Sequence, residues 1–254
     1  MLRSVSEIMN YTLVAKDGEI GRCKDFLFDD QHWTIRYMVA DTGKWLPGRK
    51  VLISPLSLEE PDWATRKFPV TLTKEQIEKS PPLDEDAPVS RLYEKKHFDY
   101  YSWPYYWAGG SIWGAMPYPY VPVSPLPEAE LTKIKEKQES IHPEESHLRS
   151  VKEIHGYHIK AEDGEIGHAE DFIAADDVWT IRYMIIDTRN WLPGRKVLVS
   201  PGWIESISWA EKKVDVDLTV EAIKKGPEFD PSQPVNREYE VRLYDFYGRP
   251  KYWE

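Results

Sequence analysis

Seven histidines, a single cysteine and a dense set of carboxylates are the side chains through which this chain could do chemistry. His155 and His158 lie close together with His168 ten residues on, and such a group suits a metal only where the imidazoles converge. In an extended segment, residues three apart face opposite sides of the strand, which separates the first two. The carboxylates include Asp17, Glu19, Asp25, Asp29, Asp30 and Asp41, then Asp163, Glu165, Asp171, Asp176 and Asp187. A converging pair of them would serve as general acid and base, the enzymatic alternative being a carboxylate-based hydrolase. Asp17-Gly18 and Asp29-Asp30, however, fall where a turn calls for aspartate. Cys23 lacks a matched histidine to activate it, and no glycine-rich phosphate cradle occurs. The expectation is a protein without catalytic residues, cofactor or bound metal.

Composition bounds the remaining classes. The 254 residues are 41% hydrophobic and 30% charged, with net charge −10, 20 Pro, 11 Trp and 15 Tyr. An acidic chain with no basic segment is a poor phosphate-backbone binder, so nucleic acid is not an expected partner. The N-terminus, Met1 to Glu7, has no apolar core of a secretory signal. The uncharged run from Tyr100 to Pro127 is long enough to cross a bilayer, but six prolines would break a spanning helix. A cytoplasmic protein with no integral membrane segment is expected.

The elements that must position these residues come in two copies. Residue n matches residue n+146: Asp17 to Gly21 recurs as Asp163 to Gly167, Trp33 to Met38 (WTIRYM) as Trp179 to Met184, and Trp45 to Leu52 (WLPGRKVL) as Trp191 to Leu198. Over residues 3–107 the alignment needs no gap, and 55 of 105 pairs are identical. The chain therefore divides into repeat 1 (residues 1–107), a linker (108–148) and repeat 2 (149–254). The three histidines have no counterparts in repeat 1, where Met9, Thr12 and Arg22 stand, and this argues further against a metal.

Within repeat 1, Tyr11 to Ala15 and Ile20 to Phe28 are β-prone runs around Asp17-Gly18, a hairpin signal, and Gly21 suggests a bulge. Trp33 to Ala40 reads as a strand that alternates at first and is then buried on both sides. Lys50 to Ile53, Ser57 to Glu59 and Lys67 to Leu72 complete six short strands, which predicts a small closed barrel. Thr73 caps a short helix ended by Pro81-Pro82, and Ser90 caps a second running to about Tyr101. Glu128 to Glu145 reads as a charged helix in the linker.

Taken in order, these motifs resemble the PRC-barrel family, represented by the cytoplasmic barrel of the photosynthetic reaction-centre H subunit and by the C-terminal domain of a ribosome maturation factor. The residues that carry the likeness are Asp-Gly-x-Ile-Gly (Asp17 to Gly21, Asp163 to Gly167), Asp-Thr (Asp41-Thr42, Asp187-Thr188), Ser-Pro (Ser54-Pro55, Ser200-Pro201) and the tail Pro-Val-x-Arg-x-Tyr-Glu (Pro88 to Glu94, Pro234 to Glu240). The resemblance implies a mainly β chain: two small PRC-like β-barrels with short helical tails, packed about a pseudo-twofold axis as an intramolecular pseudo-dimer. It implies a non-enzymatic adaptor or assembly module of a bacterial cytoplasm, binding an unknown protein partner. The alternative is a peripheral factor of a membrane electron-transfer complex, touching the membrane from outside; this chain lacks the H subunit's membrane helix.

Two segments stand out as an interaction surface. Trp45 and Arg49, with Trp191 and Arg195 in repeat 2, belong to an identical Trp-Leu-Pro-Gly-Arg-Lys loop that serves either as a Pro-Gly turn or as a binding rim. Trp107, Trp113, Tyr118 and Tyr120 lie in the charge-free stretch Trp107 to Pro127, expected to form an ordered strap.

Overall fold

The Asp-Gly hairpins organise the molecule. The computed structural model describes residues 1–43, 45–83, 89–121, 147–188 and 195–254. In chain order its strands are β1 (Leu2–Ser4), β2 (Thr12–Ala15), β3 (Gly18–Asp29), β4 (Thr34–Asp41), β5 (Lys50–Ile53), β6 (Lys67–Pro69), β7 (Leu148–Ser150), β8 (His158–Ala161), β9 (Gly164–Ala175), β10 (Thr180–Asp187), β11 (Lys196–Val199), β12 (Ile204–Ser208) and β13 (Lys213–Val216). The helices are α1 (Val5–Ile8), α2 (Lys74–Glu78), α3 (Arg91–Tyr101), α4 (Val151–Ile154), α5 (Val220–Lys225) and α6 (Arg237–Tyr247). The chain is mainly β.

Each hairpin brackets one glycine that nothing else could replace. The pairing steps from Leu13↔Gly21 to Val14↔Glu19, leaving Ile20 as the bulged residue. At Gly21 (φ +136°) an added Cβ would lie 2.0 Å from the Asp41 carbonyl oxygen, and at Gly167 (φ +153°) 2.1 Å from that of Asp187. The bulge lets the long strand bend past its neighbour at that contact. Asp17 and Asp163 both accept from the first residue of the following helix, Lys74 N at 2.8 Å and Val220 N at 2.7 Å. The turns differ only at the glycine itself: Gly18 has φ +136° and Gly164 lies outside the positive region.

Two compact units result. One contains Met1–Glu7, Val151–Asp176 and Thr180–Glu254; the other contains Ile8–Ser150 and Asp177–Trp179. The short arm that opens each sequence repeat is thus found with the other repeat's strands. β1 pairs antiparallel with β9 (Leu2↔Ala175), and β7 pairs with β3 (Asp29↔Leu148). The anchors match: Arg3 Nε meets Asp176 at 3.2 Å and the Ser4 hydroxyl donates to Asp171, while Arg149 Nε meets Asp30 at 3.2 Å and the Ser150 hydroxyl donates to Asp25.

The sheet in each unit is mixed and does not close into a barrel, a correction to the closed barrels expected. In the first copy the order is β5-β4-β3-β2-β6, with β2 and β6 parallel. In the second it is β11-β10-β9-β8-β13-β12, with β8 and β13 parallel. Proline is the physical reason for the interruption. Pro55 and Pro201 follow the last residue of β5 and β11 by two positions and open 3₁₀ turns (Pro55–Ser57, Pro201–Trp203), where a missing N–H and fixed φ stop the ladder. The expected strand Ser57 to Glu59 is reduced to one bridge, Leu58↔Val70, whereas β12 forms at the matching place in the second copy; Pro61 stands where Ile207 pairs with Val214 and has no N–H for the ladder.

Helix ends follow the sequence signals. Thr73 and Gln76 form a reciprocal capping box on α2, and Ser90 caps α3 through Tyr93 N. No described helix is long and apolar enough to cross a membrane.

Candidate functional site

The Trp-Leu-Pro-Gly-Arg loop is tied down by its arginine. Arg49 donates through Nη1 to the Glu78 carbonyl at 2.5 Å and through Nη2 to that of Ser80 at 2.6 Å, at the C-terminal end of α2. Arg195 donates to the Gly226 carbonyl beyond α5. Cations satisfy orphan carbonyls there and oppose the helix dipole. The Thr42 hydroxyl lies 2.7 Å from both the Leu46 and Arg49 carbonyls, closing the loop from below. Trp45 is half-buried with the Lys74 ammonium 5.0 Å from its ring centre. The turn reading accounts for Arg49 and Arg195; Trp191 lies outside the described residues.

The tail motif builds a buried polar knot, repeated in both units. On α3, Arg91 and Glu94 sit one turn apart and pair at 2.7 Å. Glu94 also accepts from Tyr106 at 2.7 Å and from Tyr37 at 3.1 Å. On α6, Arg237 pairs with Glu240 at 3.1 Å, and Glu240 accepts from Tyr183 and Tyr252, each at 2.7 Å. Tyr93 and Tyr239 donate to the Pro81 and Pro227 carbonyls at 2.9 and 3.2 Å, pinning each helix to the preceding turn. Burial raises the Glu94 carboxyl against the pull of Arg91 and the two phenols. Burial, then the Glu94 charge, pushes Tyr37 and Tyr106 well above the phenol range; Tyr252 is pushed up to about 12, burial again leading. The role of the Arg-x-Tyr-Glu motif is legible only from its partners: the i,i+3 spacing of Arg and Glu on a capped helix, in both copies, was the available signal.

Arg36 is the largest fully buried side chain, in a strand expected to alternate at first. It is held by Asp29 at 3.1 Å, by the Ile112 carbonyl at 2.7 Å and by the Tyr106 ring, 3.8 Å from its guanidinium carbon. Burial alone would raise Asp29, but Arg36 and then His32 outweigh it and hold the carboxyl below its ordinary range. The same Asp29 accepts from Gln31 N at 2.9 Å, which is the turn role expected of it.

The described part of the linker packs against the first-copy unit. Tyr106, Ala108 and Trp113 are buried, and Trp113 donates from Nε1 to the Val178 carbonyl at 2.9 Å. Trp107 is half-buried under the Arg91 guanidinium at 4.4 Å. Gly109 is required because a Cβ there would sit 2.3 Å from the Gly114 carbonyl oxygen. The end of this strap walls a groove of about 750 Å³, lined by Leu56, Gln76, Tyr100, Tyr101, Trp103 and Tyr120. Tyr118 and Tyr120 are 44% and 43% exposed. The expected charged helix, Glu128 to Glu145, lies outside the described residues.

The histidines differ in burial. His97 is 1% exposed; its Nε2 donates to the Leu52 carbonyl at 3.2 Å, and burial lowers its pKa to about 4. His155 follows α4, its Nδ1 2.7 Å from the Glu170 carbonyl. His158 and His168 are cross-strand partners with ring centres 4.7 Å apart. Their equal distance from the Asp163 turn was the sequence signal for that pairing. Among the described residues no three or more His, Cys, Asp or Glu side chains form a group that could hold a metal ion. Cys23 is buried. No protein-family model matches the chain, and no curated protein matches it.

Proposed function

We propose that the protein is a non-enzymatic adaptor whose PRC-like modules present an aromatic surface to a protein partner. The observation that carries this reading is the contrast between engaged charged groups and an open aromatic groove. Several charged groups shared by both copies are already engaged: Arg49 and Arg195 clamp helix ends, and Glu94 and Glu240 are buried in the knots. The groove at Tyr100, Trp103 and Tyr120, by contrast, is lined by repeat-1 residues and closed on one side by Pro119, Tyr120 and Val121 of the strap, and three tyrosines at and beside it are 40–44% exposed. Tyrosine and tryptophan supply large contact area at low entropic cost and dominate interface energetics. The order of the PRC-like motifs supports the same reading.

Site-specific photocrosslinking in the producing cells tests it. A benzophenone side chain at Tyr120 or Tyr118 should yield one discrete protein adduct, suppressed by Tyr100→Ala. The same group at Glu211, on an exposed turn, should yield none. Equal adducts at all three positions, or none at the tyrosines, would overturn the reading.

A further inference from the structure

The duplication places one arginine in two surroundings. In the first copy Arg36 is 1% exposed and engaged through both Nη atoms, by the Asp29 carboxylate at 3.1 Å and the Ile112 carbonyl at 2.7 Å, with the Tyr106 ring at 3.8 Å. Arg182 occupies the same position of the same WTIRYM strand and keeps the ring contact, 4.3 Å from the centre of Tyr252. It keeps nothing else. Ala175 stands where Asp29 stands, in the same register, opposite Thr180 as Asp29 is opposite Thr34. Among the described residues Arg182 donates to no acceptor through its Nη atoms, where Arg36 has two; the Nε of both arginines is buried without a hydrogen-bond partner.

A guanidinium cannot discard its charge, and its planar fork matches a carboxylate. Beside Arg182, Arg237 lies 4.0 Å over the Trp253 ring with its side chain 54% exposed, and Tyr252 is 40% exposed. The second copy therefore offers a cationic fork, an open phenol ring and a second guanidinium at its rim. Arg36 shows what such a fork accepts in this fold: one carboxylate, one backbone carbonyl and the Trp113 ring, 4.9 Å from its guanidinium carbon.

We propose that Arg182 and Tyr252 form a docking site for an acidic, tryptophan-containing segment of a partner protein, which supplies the carboxylate and backbone carbonyl that Asp29 and Ile112 supply to Arg36. This deepens the adaptor reading by naming a partner chemistry, but it concerns a surface apart from the groove. Cross-links at Tyr120 would persist if it failed.

The test uses the full chain and follows the Arg182 Nε–Hε signal by NMR. The probes are the peptides Ac-Asp-Ile-Trp-NH₂ and Ac-Asn-Ile-Trp-NH₂ and inorganic phosphate. The aspartyl peptide should shift that signal at millimolar concentration, and the asparaginyl peptide should bind about ten-fold more weakly for want of the charged bond. Ala175→Asp installs the first copy's carboxylate beside an intact Arg182 and should abolish the response. Arg182→Gln should abolish peptide binding read from Trp fluorescence. No shift with the aspartyl peptide, an unchanged response in A175D, or equal binding of phosphate would each overturn the proposal.

Discussion

Replacing His97 by leucine should make the first-copy unit less sensitive to acid, and the second copy shows that the fold accepts the change. Leu243 stands at the matching position and is fully buried. His97 is packed among Tyr37, Tyr93, Tyr101 and Trp103, with ring centres 5.0–6.0 Å away. Its Nδ1 is buried without a partner, so nothing there rewards a proton. Burial takes its pKa from the ordinary 6.5 down to about 4 in the folded protein. Between those values the unfolded chain binds a proton that the folded chain refuses, so stability falls as pH drops through 6.5 and levels off below 4. From pH 7 to pH 5 this one group costs the folded state about 2 kcal/mol, worked from that shift at about 1.4 kcal/mol per pH unit. At pH 7 the variant should lose about 1 kcal/mol with the Leu52 hydrogen bond. The two curves should therefore cross near pH 6. Urea unfolding at stepped pH, read by amide exchange in β5, isolates the first-copy unit. Parallel pH dependences for wild type and H97L would refute the reasoning.

Gly167→Ala should cost several kcal/mol, or abolish folding, because a Cβ at φ +153° would meet the Asp187 carbonyl oxygen at 2.1 Å; thermal unfolding checks it. Glu94→Gln should cost about 3 kcal/mol by leaving the Arg91 charge buried, where the arginine side chain is 12% exposed. The matching Glu240→Gln should cost clearly less, since Arg237 is 54% exposed, and equal losses in urea melts would contradict the burial argument. Arg49→Ala should free the last carbonyls of α2 and cost about 1–2 kcal/mol, with faster amide exchange around Gln76 to Ser80 as the local reading.

The hairpins, the bulge glycines and the helix caps were legible because each depends on residues close together in sequence. Asp17-Gly18, Thr73 with Gln76, and Ser90 all act within a few positions of themselves. What escaped depends on partners far away. That Arg36 would be buried requires knowing that Asp29 faces it across the β3–β4 pair. That Arg49 is a helix clamp requires knowing that α2 ends beside the loop. Barrel closure does not follow from six short strands because it depends on which edges meet, and the second copy, where β12 does form after Pro201, stays open as well. Of the candidate surface, the linker tyrosines remain exposed while the arginines do not.

The exchanged arms bear on how the chain comes to be made. The contact between Arg3 and Asp176 spans 173 residues, and loop closure on that scale slows folding. On the ribosome the first seven residues emerge long before β9 exists to receive them, so the opening arm must stay unpaired until the second hairpin has appeared. The first copy is in the same position, since its strand β3 waits for Leu148–Ser150. Neither repeat completes its unit from its own residues alone. A lesion in Leu2–Ser4 would be felt in the unit synthesised last, and a strand break between the copies would leave both products short of a strand.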